Sequence, residues 1–244
     1  FEINLLHHDD ALLMADQTFL LKRLIKNCAK QFNMNASFMA KPFSDEAGNG
    51  MHVHLSVVDK DGNNVFTVDK NKQPQALFSH AIGGLLKTTP DFLSFYAPHS
   101  NSYRRLVHNA DHAPTTLSWG NENRTALIRL PEASAEATRL EFRVASADSN
   151  PYLVFASVLA SVYAGIQGKL QHDKETIGNA HAQHPPSLGI TWSEAVEKTS
   201  VSSLVKDFFG EQFQQCYKCV KESEINRFES TITDFEYHSY LRCL

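Results

Sequence analysis

The pentapeptide Arg139-Leu140-Glu141-Phe142-Arg143 carries the densest chemistry in the chain. Side chains of a β-strand alternate between faces. Arg139, Glu141 and Arg143 therefore share one face, while Leu140 and Phe142 point into a core. Two guanidiniums flanking a carboxylate offer a place for an anion and a metal ion together. By itself the pentapeptide reads first as an exposed strand with an ion-pair ladder, because surface charge pairs are common and weak. A second stretch changes the weighing. Met51-His52-Val53-His54-Leu55-Ser56-Val57 places His52, His54 and Ser56 on one strand face and Met51, Val53, Leu55 and Val57 on the other. Two histidines two apart on a strand can look into one cleft, as metal ligands or nucleotide contacts. The turn before them, Asp45 to Gly50, holds Gly48 and Gly50, which let backbone approach a ligand closely.

The polar groups aimed at sheet faces are Glu2, His52, His54, Arg105, Arg124, Arg129, Arg139, Glu141 and Arg143. Carboxylates with one or two imidazoles suit Mg²⁺ or Mn²⁺ better than structural zinc. An arginine cluster beside hard-metal ligands suits phosphate chemistry, because guanidiniums stabilise the charge that grows during transfer. The sequence has no Walker-type or kinase loop, so a nucleotide site here is of another kind.

The elements that must position these groups follow from periodicity. Phe1 to Leu5 alternates like a short strand. A long amphipathic helix is expected from Ala11 to about Asn33, with Leu12, Leu13, Phe19, Leu20, Leu24 and Ile25 packed on a core. Ala36 to Met39 is a short strand candidate. Asp59 to Asn64 is a hairpin turn. A helix is expected from about Gln75 to Lys87, then a separate helical stretch from Thr89-Pro90 to Tyr96. Val107 to Pro114 reads as a His-rich loop suited to a lid. A strand over Thr125 to Leu130 carries Arg129. Arg124 and Arg129 share a site only if Arg124 lies in the preceding loop or beside a bulge. Asn150 caps and Pro151 starts a helix to about Leu170. His172 to Leu188 reads as a surface loop, and Ser193 as the cap of a short helix. A last helix is expected from about Glu211 to Phe228 or beyond, burying Phe213, Cys216, Tyr217, Val220 and Ile225. No repeat or linker divides the chain, so one domain is expected over 1–244.

The bulk properties exclude several classes. The chain has 244 residues, 42% hydrophobic and 20% charged, which fits a soluble globular protein with a sizeable core. A net charge of −4 gives no basic field to recruit nucleic acid. No apolar run approaches the roughly 20 residues of a membrane-spanning helix, and no signal peptide is expected within these residues. With four cysteines a disulfide scaffold is not expected, and a cytoplasmic location is the default. Cys216-x-x-Cys219 has no second pair and reads as helix packing rather than a zinc or redox site.

Five blocks together resemble the catalytic domain of the glutamine synthetase family. They are Lys41-Pro42 with Gly48-Asn49-Gly50-Met51-His52-Val53-His54-Leu55-Ser56; Asn101-Ser102-Tyr103-Arg104-Arg105; Trp119-Gly120 with Asn123-Arg124; Ile128-Arg129-Leu130-Pro131; and Arg139 to Arg143 with Asn150-Pro151-Tyr152-Leu153. The last third matches only loosely. The wording of Phe38 to Pro42, Ser102 to Arg105 and Ser118 to Gly120 resembles the γ-glutamylputrescine (polyamine) synthetase branch.

The resemblance implies an α+β fold, with a curved antiparallel sheet packed with helices. It implies an ATP-dependent ligase that joins the γ-carboxylate of glutamate to an amine through γ-glutamyl phosphate. Mg²⁺ or Mn²⁺ would be the cofactor, ATP the co-substrate, and the full-length protein a ring-shaped homo-oligomer. By position, Glu2, His52 and Glu141 match metal ligands. Gly48, Arg105, Arg124 and Arg143 fall to glutamate, and His54, Ser56, Arg124, Arg129 and Arg139 to ATP. Arg124, Asp111 and His112 are the catalytic candidates. His112 stands where ammonia-using members carry a glutamate, with Asp111 beside it, which favours a bulky amine over ammonium. Ala47 stands where an asparagine contacting glutamate is usual. The family's N-terminal β-grasp-like domain and further metal-binding glutamates lie upstream of Glu2 and are absent from this chain. A chain of these residues alone is expected to hold part of the metal site and to be inactive. The alternatives are ordinary glutamine synthetase and, in another class, an inactive fragment or non-catalytic structural relative.

Overall fold

The computed structural model describes residues 2–107, 110, 113–188 and 190–243. In chain order its helices are α1 (Ala11–Gln31), α2 (Ala76–Tyr96), α3 (Ser100–Arg105), α4 (Pro151–Gln167), α5 (Ala180–Gln183), α6 (Trp192–Val201), α7 (Ser203–Phe209), α8 (Glu211–Glu229) and α9 (Asp234–Tyr240). Its strands are β1 (Val53–Leu55), β2 (Trp119–Asn121), β3 (Ile128–Leu130) and β4 (Leu140–Phe142). They form one four-stranded sheet in the order β1-β4-β3-β2. β4 pairs antiparallel with β1 and with β3, while β2 and β3 run parallel, so the sheet is mixed rather than wholly antiparallel.

Register sorts the sheet into two rows. Val53 stands opposite Phe142, Phe142 opposite Ile128, and Ile128 beside Trp119. This row is the core face: Phe142, Ile128 and Trp119 are buried among Phe78, Leu85, Phe92 and Tyr96 of α2. The alternate row runs His54, Glu141, Arg129, Gly120. The period-2 pattern of each strand thus becomes a polar line across four strands.

The helical layer is built on α2 and α4. They cross at glycines. A Cβ at Gly84 would lie 2.7 Å from Gly165 Cα, and one at Gly165 would lie 2.6 Å from Gly84 Cα. Thr88 Oγ1 lies 2.9 Å from Gly84 O and 2.6 Å from Ser161 Oγ, so its one hydroxyl proton has an acceptor inside the contact. α2 runs straight through Pro90, where two helices were expected. A proline in a helix costs about 3 kcal/mol, but this helix buries Phe92, Leu93, Phe95 and Tyr96 beyond the proline, and that burial outweighs the lost bond.

Other expectations are corrected. Residues 2–8 and 36–39 form no strand. On α1, Leu12, Phe19, Leu20 and Leu24 are each more than half exposed and only Ala15 is buried, so its apolar face is not core. The helix is tied down instead by Tyr152, whose hydroxyl donates to Asp16 Oδ1 at 2.5 Å, and by Lys22, whose Nζ donates to Ser149 O at 3.0 Å. The strand expected over 125–130 begins at Ile128, because Arg124 to Leu127 form a turn. The 172–188 loop includes α5 and buries Ala180, His181 and Leu188. The cap of α6 is Thr191, in a reciprocal box with Glu194, not Ser193. α8 turns Gln214, Lys221 and Ile225 inward and leaves Cys216, Cys219 and Val220 exposed. The Asn150 cap and Pro151 start of α4 are as expected.

Candidate active site

Glu141 is the centre of the polar row. It projects from the middle of β4 yet is almost wholly buried, so its charge needs partners. Arg143 Nη1 donates to its Oε1 at 2.6 Å, and His52 Nδ1 lies 2.9 Å from the same oxygen. Arg129 Nη1 donates to Oε2 at 2.9 Å. Burial works against ionisation, but the His52 bond and the charge of Arg143 outweigh it and hold the carboxyl down at about 2. Burial in turn pulls the Arg143 guanidinium below its ordinary value, against the opposing pull of Glu141.

The loop before β1 is fastened to the end of β4. Met51 N–H donates to Ala145 O at 2.9 Å, and Ala147 N–H donates to Asn49 O at 3.1 Å. This brings His52 beside Glu141. A Cβ at Gly48 would meet Arg105 Cγ at 2.7 Å, and one at Gly50 would meet Arg105 Nη2 at 2.6 Å. These glycines therefore make room for the Arg105 side chain, not for a ligand. Arg105 itself donates to Val144 O at 2.8 Å and to Arg143 O at 3.0 Å. With both amino groups committed to backbone, it braces the end of β4. Burial and the charge of Arg143 lower its pKa to about 10, with Asp148 opposing.

Arg139 donates through Nε to His54 Nδ1 at 3.2 Å and through Nη1 to Ala137 O at 3.2 Å. His54 accepts that bond as a neutral ring. Burial lowers its pKa, Glu141 opposes, and Arg139 adds to the lowering. Ser56 is exposed on the continuation of the same face. Arg124 lies in the turn before β3, near enough for its charge to act on Glu122 and Arg143. The awkward spacing of Arg124 and Arg129 is thus resolved by a loop. Asp111 and His112 lie outside the described residues.

The chain is expected to hold only part of a metal site, with Glu2, His52 and Glu141 as ligands. His52 and Glu141 come together, but Glu2 lies in an exposed segment without regular structure. Among the described residues, no three His, Cys, Asp or Glu side chains are grouped to hold a metal ion. These residues do not make a complete divalent-cation site.

One residue of the site escaped sequence reasoning. Glu122 follows β2 with φ 50°, accepts from Arg129 Nη2 at 2.9 Å, and also accepts from the Glu132 N–H. The only sequence signal was an acidic residue seven positions before Arg129, with nothing to show that a turn would fold it back.

The site is a buried carboxylate held by two arginines and an imidazole on a mixed sheet backed by helices. The chain belongs to the glutamine synthetase catalytic-domain family, whose profile matches residues 1–240. It is 36% identical over 97% of its length to gamma-glutamylputrescine synthetase of Escherichia coli, covering 50% of that protein. It is 33% identical over 94% of its length to gamma-glutamylethanolamide synthetase of Streptomyces coelicolor, covering 48% of it. A glutamine synthetase of Clostridium saccharobutylicum is 35% identical, with 99% of this chain and 59% of that protein covered. Among solved structures, apo GmaS superposes with a TM-score of 0.85 at 28% identity, over 96% of this chain and 54% of that one. The chain thus spans about half the length of these relatives. No helix of the described residues is long and apolar enough to cross a membrane.

Proposed function

We propose that the protein containing this chain is an ATP-dependent ligase joining the γ-carboxylate of glutamate to an amine, with an alkylamine such as putrescine as acceptor. A carboxylate oxygen of glutamate attacks the γ-phosphorus of ATP and ADP departs. The amine nitrogen then attacks the acyl carbon, inorganic phosphate leaves, and the nitrogen loses a proton. The observation that carries this reading is the row His54–Glu141–Arg129 with His52 and Arg143 bonded to Glu141, which assembles anion-binding and carboxylate groups on one sheet face. In it, Arg124, Arg129 and Arg139 act toward the phosphates and His54 and Ser56 toward the nucleotide. Arg124 and Arg143 act toward glutamate, and Gly48 serves them by giving the Arg105 side chain its room. Arg105 acts by holding Arg143 in place, through its bonds to Val144 O and Arg143 O. Asp111 and His112 serve the incoming amine.

Mg²⁺ or Mn²⁺ accompanies ATP in this reading, with His52 and Glu141 supplying two donors and further donors coming from outside these residues. Domain 1–244 works as part of a cytoplasmic, ring-shaped homo-oligomer with small-molecule substrates. The preference for a bulky amine rests on His112 and Asp111 in place of a single glutamate. It is supported by the relatives named as synthetases of gamma-glutamylputrescine and gamma-glutamylethanolamide. The test is a coupled assay of ADP release with glutamate plus putrescine against glutamate plus ammonium. Faster turnover with putrescine is expected; a wide margin for ammonium would make the protein an ordinary glutamine synthetase.

A further inference from the structure

We infer that Glu122 is a positioning residue that fixes the outer end of Arg129 and so presents its guanidinium to the nucleotide phosphates. The inference rests on the proposed phosphate role of Arg129.

Arg129 is shared between two carboxylates. Nη1 donates to Glu141 Oε2 and Nη2 to Glu122 Oε2, both at 2.9 Å. Its Nε is buried with no hydrogen-bond partner. Arginine and a carboxylate prefer a two-pronged pairing in which both nitrogens meet both oxygens of one partner. Here that pairing is blocked, because Glu141 Oε1 is already taken by Arg143 and His52 and the second prong goes to Glu122. The guanidinium is stretched between an inner and an outer anion.

The outer anion is held with unusual care for a half-exposed surface residue. Glu122 adopts φ 50°, a left-handed conformation uncommon for a residue with a Cβ. Its N–H donates to Leu130 O at 3.1 Å, and its other carboxylate oxygen accepts from the Glu132 N–H. The Arg129 bond, the Glu132 N–H and, against them, partial burial together leave its carboxyl below the ordinary range. A surface ion pair formed only by chance proximity has no need of a strained backbone and a second donor.

The test uses the complete protein and reads ADP binding by calorimetry together with the Michaelis constants for ATP and glutamate. Glu122→Gln preserves shape and the Glu132 bond but removes the charge. It should weaken ADP binding and raise KM for ATP by roughly three- to tenfold, leave KM for glutamate within about twofold, and leave the melting temperature nearly unchanged. On an Arg129→Ala background the same change should add nothing. If Glu122→Gln leaves ADP binding unaltered while Arg129→Ala weakens it, Glu122 has no positioning role. If Arg129→Ala itself leaves ADP binding unaltered, the phosphate role of Arg129 fails, and the role of Glu122 goes with it.

Discussion

Arg129 and Glu141 stand directly opposite each other on neighbouring antiparallel strands, joined Nη1 to Oε2 at 2.9 Å. Twelve residues separate them in sequence, and the pairing of β3 with β4 makes them a cross-strand couple. Arg143, His52 and Glu122 extend this couple into a chain of charge from the buried end of β4 to the sheet edge.

Removing the charge at the centre should be costly. Glu141→Gln keeps the volume but takes away the anion between Arg129 and Arg143. Breaking a buried pair by deleting one partner typically costs about 3–5 kcal/mol. A urea titration of the variant should show a loss of that order. A loss below about 1 kcal/mol, the range of surface pairs, would mean that Glu141 is not the electrostatic anchor of the sheet.

The loop carrying His52 depends on its glycine. In Gly50→Ala the new methyl meets Arg105 Nη2, and Arg105 cannot retreat without giving up its bonds to Val144 O and Arg143 O. Overpacking of this kind costs about 1–3 kcal/mol. Because His52 moves with the loop, ADP release in the coupled assay should fall by more than the lost stability explains. A variant with unchanged melting and unchanged turnover contradicts the bracing role of Arg105.

The glycine contact between α2 and α4 is a second rigid point. In Gly84→Ala the added Cβ meets backbone of Ser161 and Gly165, which has no side-chain freedom to yield. A destabilisation of about 2 kcal/mol, or roughly 4–8 °C in melting temperature, is expected by thermal unfolding. No change in melting would show that the two helices can separate freely.

Lys22 gives a pH signature of how α1 is seated. Burial, with Lys26 adding and Asp148 opposing, lowers its pKa from 10.5 to about 8. Below about pH 8 the amine is charged in folded and unfolded chains alike, and the folded state carries the full burial penalty. Between 8 and 10.5 the unfolded chain holds more protons, so this residue's contribution to stability rises with pH. Relative to wild type, Lys22→Met should therefore lose ground as pH rises through that window, as urea unfolding at successive pH values will show. A stability difference that is flat with pH would place Lys22 in water.

Much of the site was legible because its signals are local. The alternation of residues 51–57 and 139–143 separates polar from apolar faces, and the structure keeps both separations. Asn150-Pro151 carries its own capping geometry and starts α4 where expected. Local rules failed where burial overruled them. Pro90 reads as a break, yet the helix continues because its far half is packed on all sides. Val220 and Cys216 have the composition of a buried stripe, but α8 meets its neighbours on the face of Gln214, Lys221 and Ile225. Lys221 is tolerated there because Pro98 O and Glu224 satisfy its ammonium. The amphipathic face of α1 was legible as a face, but not what would cover it.

The sequence by itself determined which strand faces the polar residues of 51–57 and 139–143 occupy and which family the chain belongs to, because motif identity and period-2 alternation are properties of neighbouring residues. Only the tertiary structure decided that His54, Glu141 and Arg129 form one line, that β2 lies parallel to β3, that Arg105 serves the backbone, and that Glu122 holds the outer end of Arg129. Strand register and turn direction are set by packing between segments far apart in the chain, and no local pattern encodes which partner a side chain will meet across the sheet.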